Sequence, residues 1–278
     1  MRAMALSAAV GLIACLPAAA GPVLTGATLG PVTAPVVPEP PTPQVLAGAA
    51  PGGLLIAAGA PGRSLPDRMA DTGGGTQLIT AVAAGGTNAS RDGTLTWWQR
   101  RGSRWVAVGS TRARFGVHGL SGNRLEGDGT TPAGLFTLPM AFGIRPNPGT
   151  RMPWRRVHRK SWWDENSRDP RYNTWYENCP ASVCWTSATH RRHASERLIR
   201  VTPQYTYAVV IGFNTGAHPV RPPARPSGSG IFLHVFGPGH TAGCVSVSRG
   251  ALVAILRWLD PAAAPHIAIG NARSIYGF

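Results

Sequence analysis

Residues 231–246 read IFLHVFGPGHTAGCVS, and this stretch carries the candidate chemistry of the chain. An apolar strand carries His234, a glycine-rich loop follows, and Cys244 stands at a turn of small residues. A thiol nucleophile needs a nearby base, and this spacing lets the loop return the cysteine beside the imidazole. The stretch therefore predicts Cys244 as a nucleophile and His234 as its general base. A buried structural thiol is the alternative interpretation of an isolated cysteine.

Side chains alternate along a strand, so His234 is expected on the same face as Phe232 and Phe236, with Leu233 and Val235 on the opposite face. This arrangement directs the imidazole to one side of the sheet.

One helix is predicted directly after the cysteine. It begins with Ser248 as N-cap, continues through an apolar face and ends before the Asp-Pro pair at 260–261. Because Cys244 precedes this helix closely, the positive end of the helix dipole is expected to favour the thiolate. The backbone N–H groups of Ala242 and Gly243, with that of Cys244, are predicted to form an oxyanion hole.

The composition favours short strands and turns over long helices. The 278 residues include 35 glycines and 26 prolines, and only 14% of them are charged. Turn residues recur between short apolar segments, as in an all-β domain. The predicted strands are 77–83, 94–100, 105–108, 136–138, 205–211, 231–236 and 266–269. The fold is therefore expected to be mainly β, with few helices.

The N-terminal region resembles an export signal followed by a tether. Residues 1–20 contain Arg2 as their only charge, an apolar run and a final triplet of alanines, the pattern of a cleaved signal peptide. LIAC at 12–15 resembles a lipobox, so a lipoprotein attached through Cys15 is one alternative, and an uncleaved anchor is another. Residues 21–75 are rich in proline, alanine and glycine and predict an extended linker. The compact domain is expected over 76–278, outside the cytoplasmic membrane.

The chain is strongly basic, with a formal net charge of +15. Nucleic acid is the usual partner of such a chain, but an exported protein does not meet it. Anionic cell-wall polymers are therefore the predicted polyanionic partners, and no nucleic acid is expected. The alternative is that the excess of arginine over the single lysine, Lys160, reflects only the codon usage of a GC-rich genome.

A second motif lies far upstream of the cysteine. Residues 131–136 read TPAGLF and follow EGDG at 126–129. With a strand histidine and the sequence Gly-Cys-Val, this motif resembles the L,D-transpeptidase catalytic domain family (YkuD-like), over residues 76–278. The resemblance implies a β-sandwich or mixed sheet, a hairpin at 131–136 and one helix after the cysteine.

The resemblance also implies a reaction, acyl transfer at the stem peptides of peptidoglycan. Cys244 would attack the carbonyl of the third stem residue and expel the terminal D-alanine, while His234, oriented by a backbone carbonyl just after it, would shuttle protons. The thioester would pass to an amine of another stem, forming a 3-3 cross-link, or to water, as in an L,D-carboxypeptidase. No cofactor or metal is expected, and the protein is expected to be a monomer. Substrate contacts are predicted at Thr241, His240, Tyr172 and Asn173.

The chain departs from the family pattern in the loop before the cysteine. Most members have a second histidine where this chain has Ala242, and an arginine where it has Ser246. Their loop is also longer. These departures leave the predicted nucleophile and base in place but put the substrate contacts of the loop in doubt, and His240 is interpreted as a loop residue.

Residues 145–200 form a basic, tryptophan-rich insertion with little strand pattern. The insertion is interpreted either as a lid or wall beside the substrate, or as a cover for one edge of the core. Within it, Cys179 and Cys184 are predicted to form a disulfide in an oxidising compartment, leaving Cys244 as the free thiol. The alternative is a zinc site completed by His190 and His193, although the intervals are not those of a recognised finger.

Other protein classes lead to different expectations. A serine penicillin-binding enzyme needs Ser-x-x-Lys, and this class is excluded because the residue three before Lys160 is Val157. A zinc amidase or endopeptidase would contain bound metal. A non-catalytic wall-binding domain would use its arginines and tryptophans to hold glycan and would leave Cys244 inert.

Overall fold

The structure is a computed structural model that describes residues 62–180, 184, 195–216 and 227–278. The predicted signal peptide at 1–20, the lipobox cysteine Cys15 and the zinc-ligand candidates His190 and His193 lie outside the described residues. None of the described helices is long and apolar enough to span a membrane.

Most described strands belong to one ten-stranded mixed sheet, so the prediction of a mainly β fold is confirmed. In chain order the strands are β1 (Gln77–Ala83), β2 (Asp92–Arg101), β3 (Arg104–Arg114), β4 (Leu120–Ser121), β5 (Thr131–Pro132), β6 (Gly134–Thr137), β7 (Ala141–Gly143), β8 (Trp154–Arg156), β9 (Ser161–Asp164), β10 (Thr174–Glu177), β11 (Glu196–Arg197), β12 (Ala208–Val210), β13 (Phe232–Val235), β14 (Val245–Val247) and β15 (His266–Asn271). The order in the large sheet is β6-β15-β1-β2-β3-β14-β13-β12-β7-β8. The pairs β1/β15, β13/β14 and β7/β8 are parallel, and the other neighbours are antiparallel.

One α-helix, α1 (Arg249–Trp258), occurs in the described part of the chain and follows β14 as predicted. Ser248 is its N-cap, and the Ser248 hydroxyl accepts a hydrogen bond from the N–H of Ala251 at 3.3 Å. The helix buries Leu252, Ile255 and Leu256 in the main core, so the capping residue and the apolar spacing in the sequence both fix this element. Short 3-10 turns occupy Pro66–Arg68, Ala84–Gly86, Leu198–Arg200, Gln204–Thr206, Pro261–Ala263 and Ser274–Gly277.

The two faces of β13 belong to different hydrophobic clusters, as side-chain alternation predicts. Leu233 and Val235 lie in the main core with α1. Phe232 lies on the other face, where its ring packs edge-to-face on Phe142 at 5.1 Å and on Trp163 at 4.9 Å. Cys244 belongs to this aromatic cluster, so its side chain packs against these rings.

Two predicted elements differ in the structure. The strand expected at 205–211 begins only at Ala208, because Tyr205 lies in a 3-10 turn. The hairpin expected at 131–136 is wrong, since β5 pairs with β4 and β6 pairs with β15. Its two halves therefore tie together different parts of the fold.

Ordered contacts begin N-terminal to the domain start expected at residue 76. The carboxylate of Asp67 accepts hydrogen bonds from the hydroxyl of Ser64 at 2.7 Å and from the N–H of Trp105 at 3.2 Å. Leu65 and Met69 pack beside Trp105. The last part of the segment interpreted as linker, residues 62–75, is therefore held against β3.

The insertion at 145–200 contains β8 to β11, and β10-β9-β11 form a small antiparallel sheet. These strands are too short to show an alternating sequence pattern, which explains why the sequence does not predict them. Trp163 and Trp175 pack on the aromatic cluster, so the interpretation of the insertion as a cover for the core is supported. The predicted disulfide between Cys179 and Cys184 is confirmed.

Candidate active site

The parallel pairing of β13 and β14 brings the two predicted catalytic residues to one place. His234 is in register with Ser246, and Cys244 immediately precedes β14. Both line a cavity of about 400 Å³. The fold therefore returns the cysteine to the neighbourhood of the histidine, as the length of the loop predicts.

His234 is buried, and its protonation is set by one backbone contact. Its Nδ1 lies 2.7 Å from the carbonyl oxygen of Val235. A carbonyl only accepts, so Nδ1 carries the proton and Nε2 keeps a lone pair. Burial lowers the pKa of His234 to about 4, against the opposing effect of the hydrogen bond to Val235. The imidazole is therefore neutral at physiological pH, the state that a general base requires.

The thiol of Cys244 is held by the chain just before and within β13. Its Sγ accepts a hydrogen bond from the N–H of Phe232 and donates one to the carbonyl of Gly230, both at 3.3 Å. Within the described residues it makes no hydrogen bond to His234. Burial raises the pKa of Cys244 to about 12, and the Phe232 N–H and Arg124 oppose this rise only in part. Burial thus opposes the effect expected of the nearby helix end, and the side chain of Cys244 rests as a thiol.

Thr241 closes the turn in front of the nucleophile. Its N–H donates to Phe115 and its carbonyl accepts from Val117, which fixes the loop to the end of β3. Its hydroxyl donates to the carbonyl of Cys244 at 2.6 Å and accepts the N–H of Gly243 at 3.1 Å. Thr241 lines the cavity, but its polar groups are used to hold the loop rather than to contact a substrate.

The predicted oxyanion hole needs one correction. Because the N–H of Gly243 is bonded to the hydroxyl of Thr241, it is not a free donor. The N–H groups of Ala242 and Cys244 make no hydrogen bond within the described residues, and these two remain available. Gly243 has a φ of 150°, and a Cβ there would lie 2.8 Å from the carbonyl oxygen of Thr130, so only glycine fits this turn.

Thr131, from the TPAGLF motif, also supports the nucleophile. Its hydroxyl accepts the N–H of Gly116 at 2.8 Å and donates to the carbonyl of Cys244 at 3.3 Å. The sequence does not assign this residue to the site, although the motif itself is the signal that would have found it. The distant motif and the cysteine turn thus form one structural unit.

His240 lines the cavity and is tied to β2. Its Nε2 lies 3.0 Å from the carboxylate of Asp92, which also pairs with Arg112 at 2.8 Å. The hydrogen bonds from Arg112 and then from His240 lower the pKa of Asp92. His240 thus lines the cavity with one ring nitrogen already engaged.

Tyr172 and Asn173, predicted as substrate contacts, are buried structural residues that do not line the cavity. The hydroxyl of Tyr172 donates to the carboxylate of Glu126. The side-chain oxygen of Asn173 accepts the indole N–H of Trp163 and the N–H of Gly230, and its amide donates to two backbone carbonyls. This prediction is wrong because the polar groups of both side chains are already satisfied inside the protein.

Three glutamates line the cavity, which is unexpected in so basic a chain: Glu126, Glu165 and Glu196. Burial, and then the charges of the other two, raise the pKa of Glu165 well above its ordinary value. Burial raises the pKa of Glu196 to about 7, although a 2.6 Å hydrogen bond from Tyr205 opposes the shift. Sequence reasoning did not assign these residues to the site. The signals were two carboxylates, Glu165 and Glu196, within an arginine-rich insertion, and Glu126 in the EGDG motif.

The zinc alternative does not fit the described residues. The sulfurs of Cys179 and Cys184 are bonded to each other, so they are not thiolate ligands. In the ranges that the structure describes, no group of three or more His, Cys, Asp or Glu side chains is arranged to hold a metal ion.

A strand histidine and a cysteine that share one cavity of a large mixed sheet define a β-rich domain with a cysteine–histidine site. The YkuD family, the L,D-transpeptidase catalytic domain, matches residues 86–267, and the chain belongs to this family. A comparison with curated proteins found no match.

A solved structure from Bdellovibrio bacteriovorus, that of Bd1075, is similar to part of the chain. The identity is 13% and the TM-score is 0.35, and the match covers 70% of this chain and 48% of that chain. The chain therefore spans less than half the length of the Bd1075 chain.

Proposed function

We propose that this protein is a cysteine-dependent acyltransferase that forms L,D (3-3) cross-links between peptidoglycan stem peptides. The observation that supports this most is that Cys244 and a neutral His234 line the same cavity in a domain of this family. In the structure the thiol donates a hydrogen bond to the carbonyl of Gly230, so substrate binding must rotate Sγ towards the imidazole. Catalytic hydrogen bonds commonly tighten only when substrate is bound.

The first half-reaction makes the thioester. Sγ of Cys244 bonds to the carbonyl carbon of the third stem residue as its proton passes to Nε2 of His234. The carbonyl oxygen gains negative charge and accepts the N–H groups of Ala242 and Cys244. The C–N bond then breaks, His234 returns the proton to the leaving nitrogen, and D-alanine departs.

The second half-reaction releases the acyl group. A side-chain amine of another stem attacks the thioester, His234 takes its proton, and the sulfur leaves and is reprotonated. Water in place of the amine gives a tripeptide stem and makes the protein an L,D-carboxypeptidase. The carboxyl groups of the glutamates that line the cavity offer hydrogen-bond acceptors to an ammonium-bearing substrate near Cys244.

The location is proposed on the same basis. A disulfide between Cys179 and Cys184 is typical of an oxidising compartment, and the family acts on the cell wall, so we place the protein outside the cytoplasmic membrane. Export through residues 1–20, attraction to anionic wall polymers and a monomeric state remain predictions.

The test is product analysis with a disaccharide-tetrapeptide as the only substrate. Wild type is expected to release D-alanine and to form 3-3 dimers. Cys244→Ala is expected to form neither product, whereas the control His158→Gln, at a side chain that is 62% exposed outside the cavity, should behave as wild type. If tripeptide forms without dimers, the activity is that of an L,D-carboxypeptidase and not that of a cross-linking enzyme. Release of D-alanine by Cys244→Ala would refute the cysteine mechanism.

A further inference from the structure

Arg124 is a buried cation in the wall of the cavity, and its hydrogen-bonding capacity is only partly used. Its side chain is 4% exposed. One terminal nitrogen, Nη1, donates to the carbonyl of Thr130 at 2.9 Å and to the carboxylate of Asp128 at 3.2 Å. The Nε atom is buried and has no partner within the described structure. Buried polar groups are almost always paired, so this orphan donor needs an explanation.

The guanidinium lies against the turn that carries the nucleophile. A Cβ on Gly243, the residue before Cys244, would come within 3.0 Å of Cζ of Arg124. A Cβ on Gly228 would come within 3.1 Å of Nε. Both glycines have positive φ values, 150° and 100°, so the backbone keeps a slot beside the cysteine that the guanidinium fills.

No anion in the cavity is committed to Arg124 apart from Asp128, whose carboxylate also accepts three hydrogen bonds from its own turn. Glu126 accepts from two hydroxyl groups, and Glu196 accepts from Tyr205. Glu165 forms no ion pair with Arg124 in the described structure, although the charge of the guanidinium opposes the rise in the pKa of Glu165. Burial raises the pKa of Glu165 well above its ordinary value and that of Glu196 to about 7, and both shifts reduce the repulsion of an incoming anion.

A stem tetrapeptide brings a carboxylate to this position. Its terminal carboxylate lies one residue, about 3.5 Å of chain, beyond the carbonyl that Cys244 would attack. A planar guanidinium is the side chain best suited to a carboxylate, because its N–H groups match the two oxygens. We propose that Arg124 is a specificity-determining residue that binds the free C-terminal carboxylate of the stem peptide. This assignment rests on the proposed function of the same site.

The experiment compares two substrates, a stem tetrapeptide with a free C-terminal carboxylate and the same peptide with a C-terminal carboxamide. The measurement is kcat/KM for release of D-alanine and of D-alaninamide. A buried charge-assisted hydrogen bond predicts that wild type prefers the carboxylate by about 10- to 100-fold. In Arg124→Gln this ratio should fall close to one, mainly through KM for the carboxylate, and Arg124→Lys should restore part of it.

Asp128→Asn is the matched control, since it perturbs the same turn but keeps the guanidinium, and it should retain the preference. Equal kcat/KM values for the two substrates in wild type would overturn the assignment. This comparison needs no variant, so it remains a test even if Arg124→Gln misfolds. A preference that survives in Arg124→Gln would overturn it as well. Wild type that is inactive on both substrates would instead refute the proposed function.

Discussion

Replacing His234 with glutamine is expected to abolish turnover but to leave the alkylation of Cys244 almost unchanged. The reason is that the imidazole is neutral and that the thiol makes its hydrogen bonds to the backbone of Gly230 and Phe232 rather than to the histidine. In a resting thiolate–imidazolium pair, loss of the histidine would remove the thiolate. The substitution therefore separates a base that acts during turnover from a partner that ionises the free enzyme.

The magnitude follows from the pKa of Cys244, which burial raises from 9.0 to about 12. Such a shift lowers the thiolate fraction at neutral pH by roughly a thousandfold. A more basic thiolate is also more nucleophilic, with a Brønsted coefficient of about 0.4–0.5, which recovers roughly 20-fold. The net expectation is alkylation about 50-fold slower than that of a free cysteine thiol.

The assay is iodoacetamide labelling followed by intact mass, for wild type, His234→Gln and the exposed control His158→Gln. Cys179 and Cys184 are bonded to each other and do not react, and peptide mapping separates the label on Cys244 from any label on Cys15. The rates of the three proteins should agree within about twofold and should rise with pH without a plateau near neutrality. Wild-type labelling as fast as free cysteine, lost in His234→Gln, would show that the enzyme rests as an ion pair and that the reasoning from burial is wrong.

Two further predictions concern residues that hold the site. Gly243→Ala should lower the unfolding free energy by about 1–3 kcal/mol and remove most of the activity, because the new Cβ meets the carbonyl of Thr130. Gly239→Ala is the control, since a Cβ there meets nothing within 4 Å. It should change neither the unfolding free energy measured by urea titration nor the rate of D-alanine release. Asn173→Ala should cost about 2–4 kcal/mol by urea titration, since it leaves buried partners unpaired. Asn178→Ala, with a similar φ but an exposed side chain, is the control, and equal costs in the two variants would contradict the structural role of Asn173.

Local sequence signals predicted the elements around the cysteine well. The alternation through 231–236 placed His234 on the face opposite Leu233, and Ser248 marked the start of the helix. These features depend on neighbours along the chain, so a pattern in sequence is enough to find them. The carbonyl that orients His234 was also predictable, because it belongs to the next residue, Val235.

The remaining features depend on contacts between distant segments. Arg124 and Glu196 reach the cavity only because the insertion and the turn before β5 fold around it, and no spacing in the sequence encodes that meeting. The role of Asn173 also depends on distant contacts. Its polar side chain suggests a substrate contact, but it is buried and its partners include the N–H of Gly230. The raised pKa of Cys244 was not predictable for a related reason, since the helix end is visible in the sequence whereas the degree of burial is not.

The most direct test of the central claim is the intact mass of the protein after mixing with a disaccharide-tetrapeptide. The expected result is an adduct equal to the substrate minus D-alanine, located on Cys244 by peptide mapping and absent from Cys244→Ala. Release of D-alanine with no adduct on Cys244, or with an adduct on another residue, would contradict it.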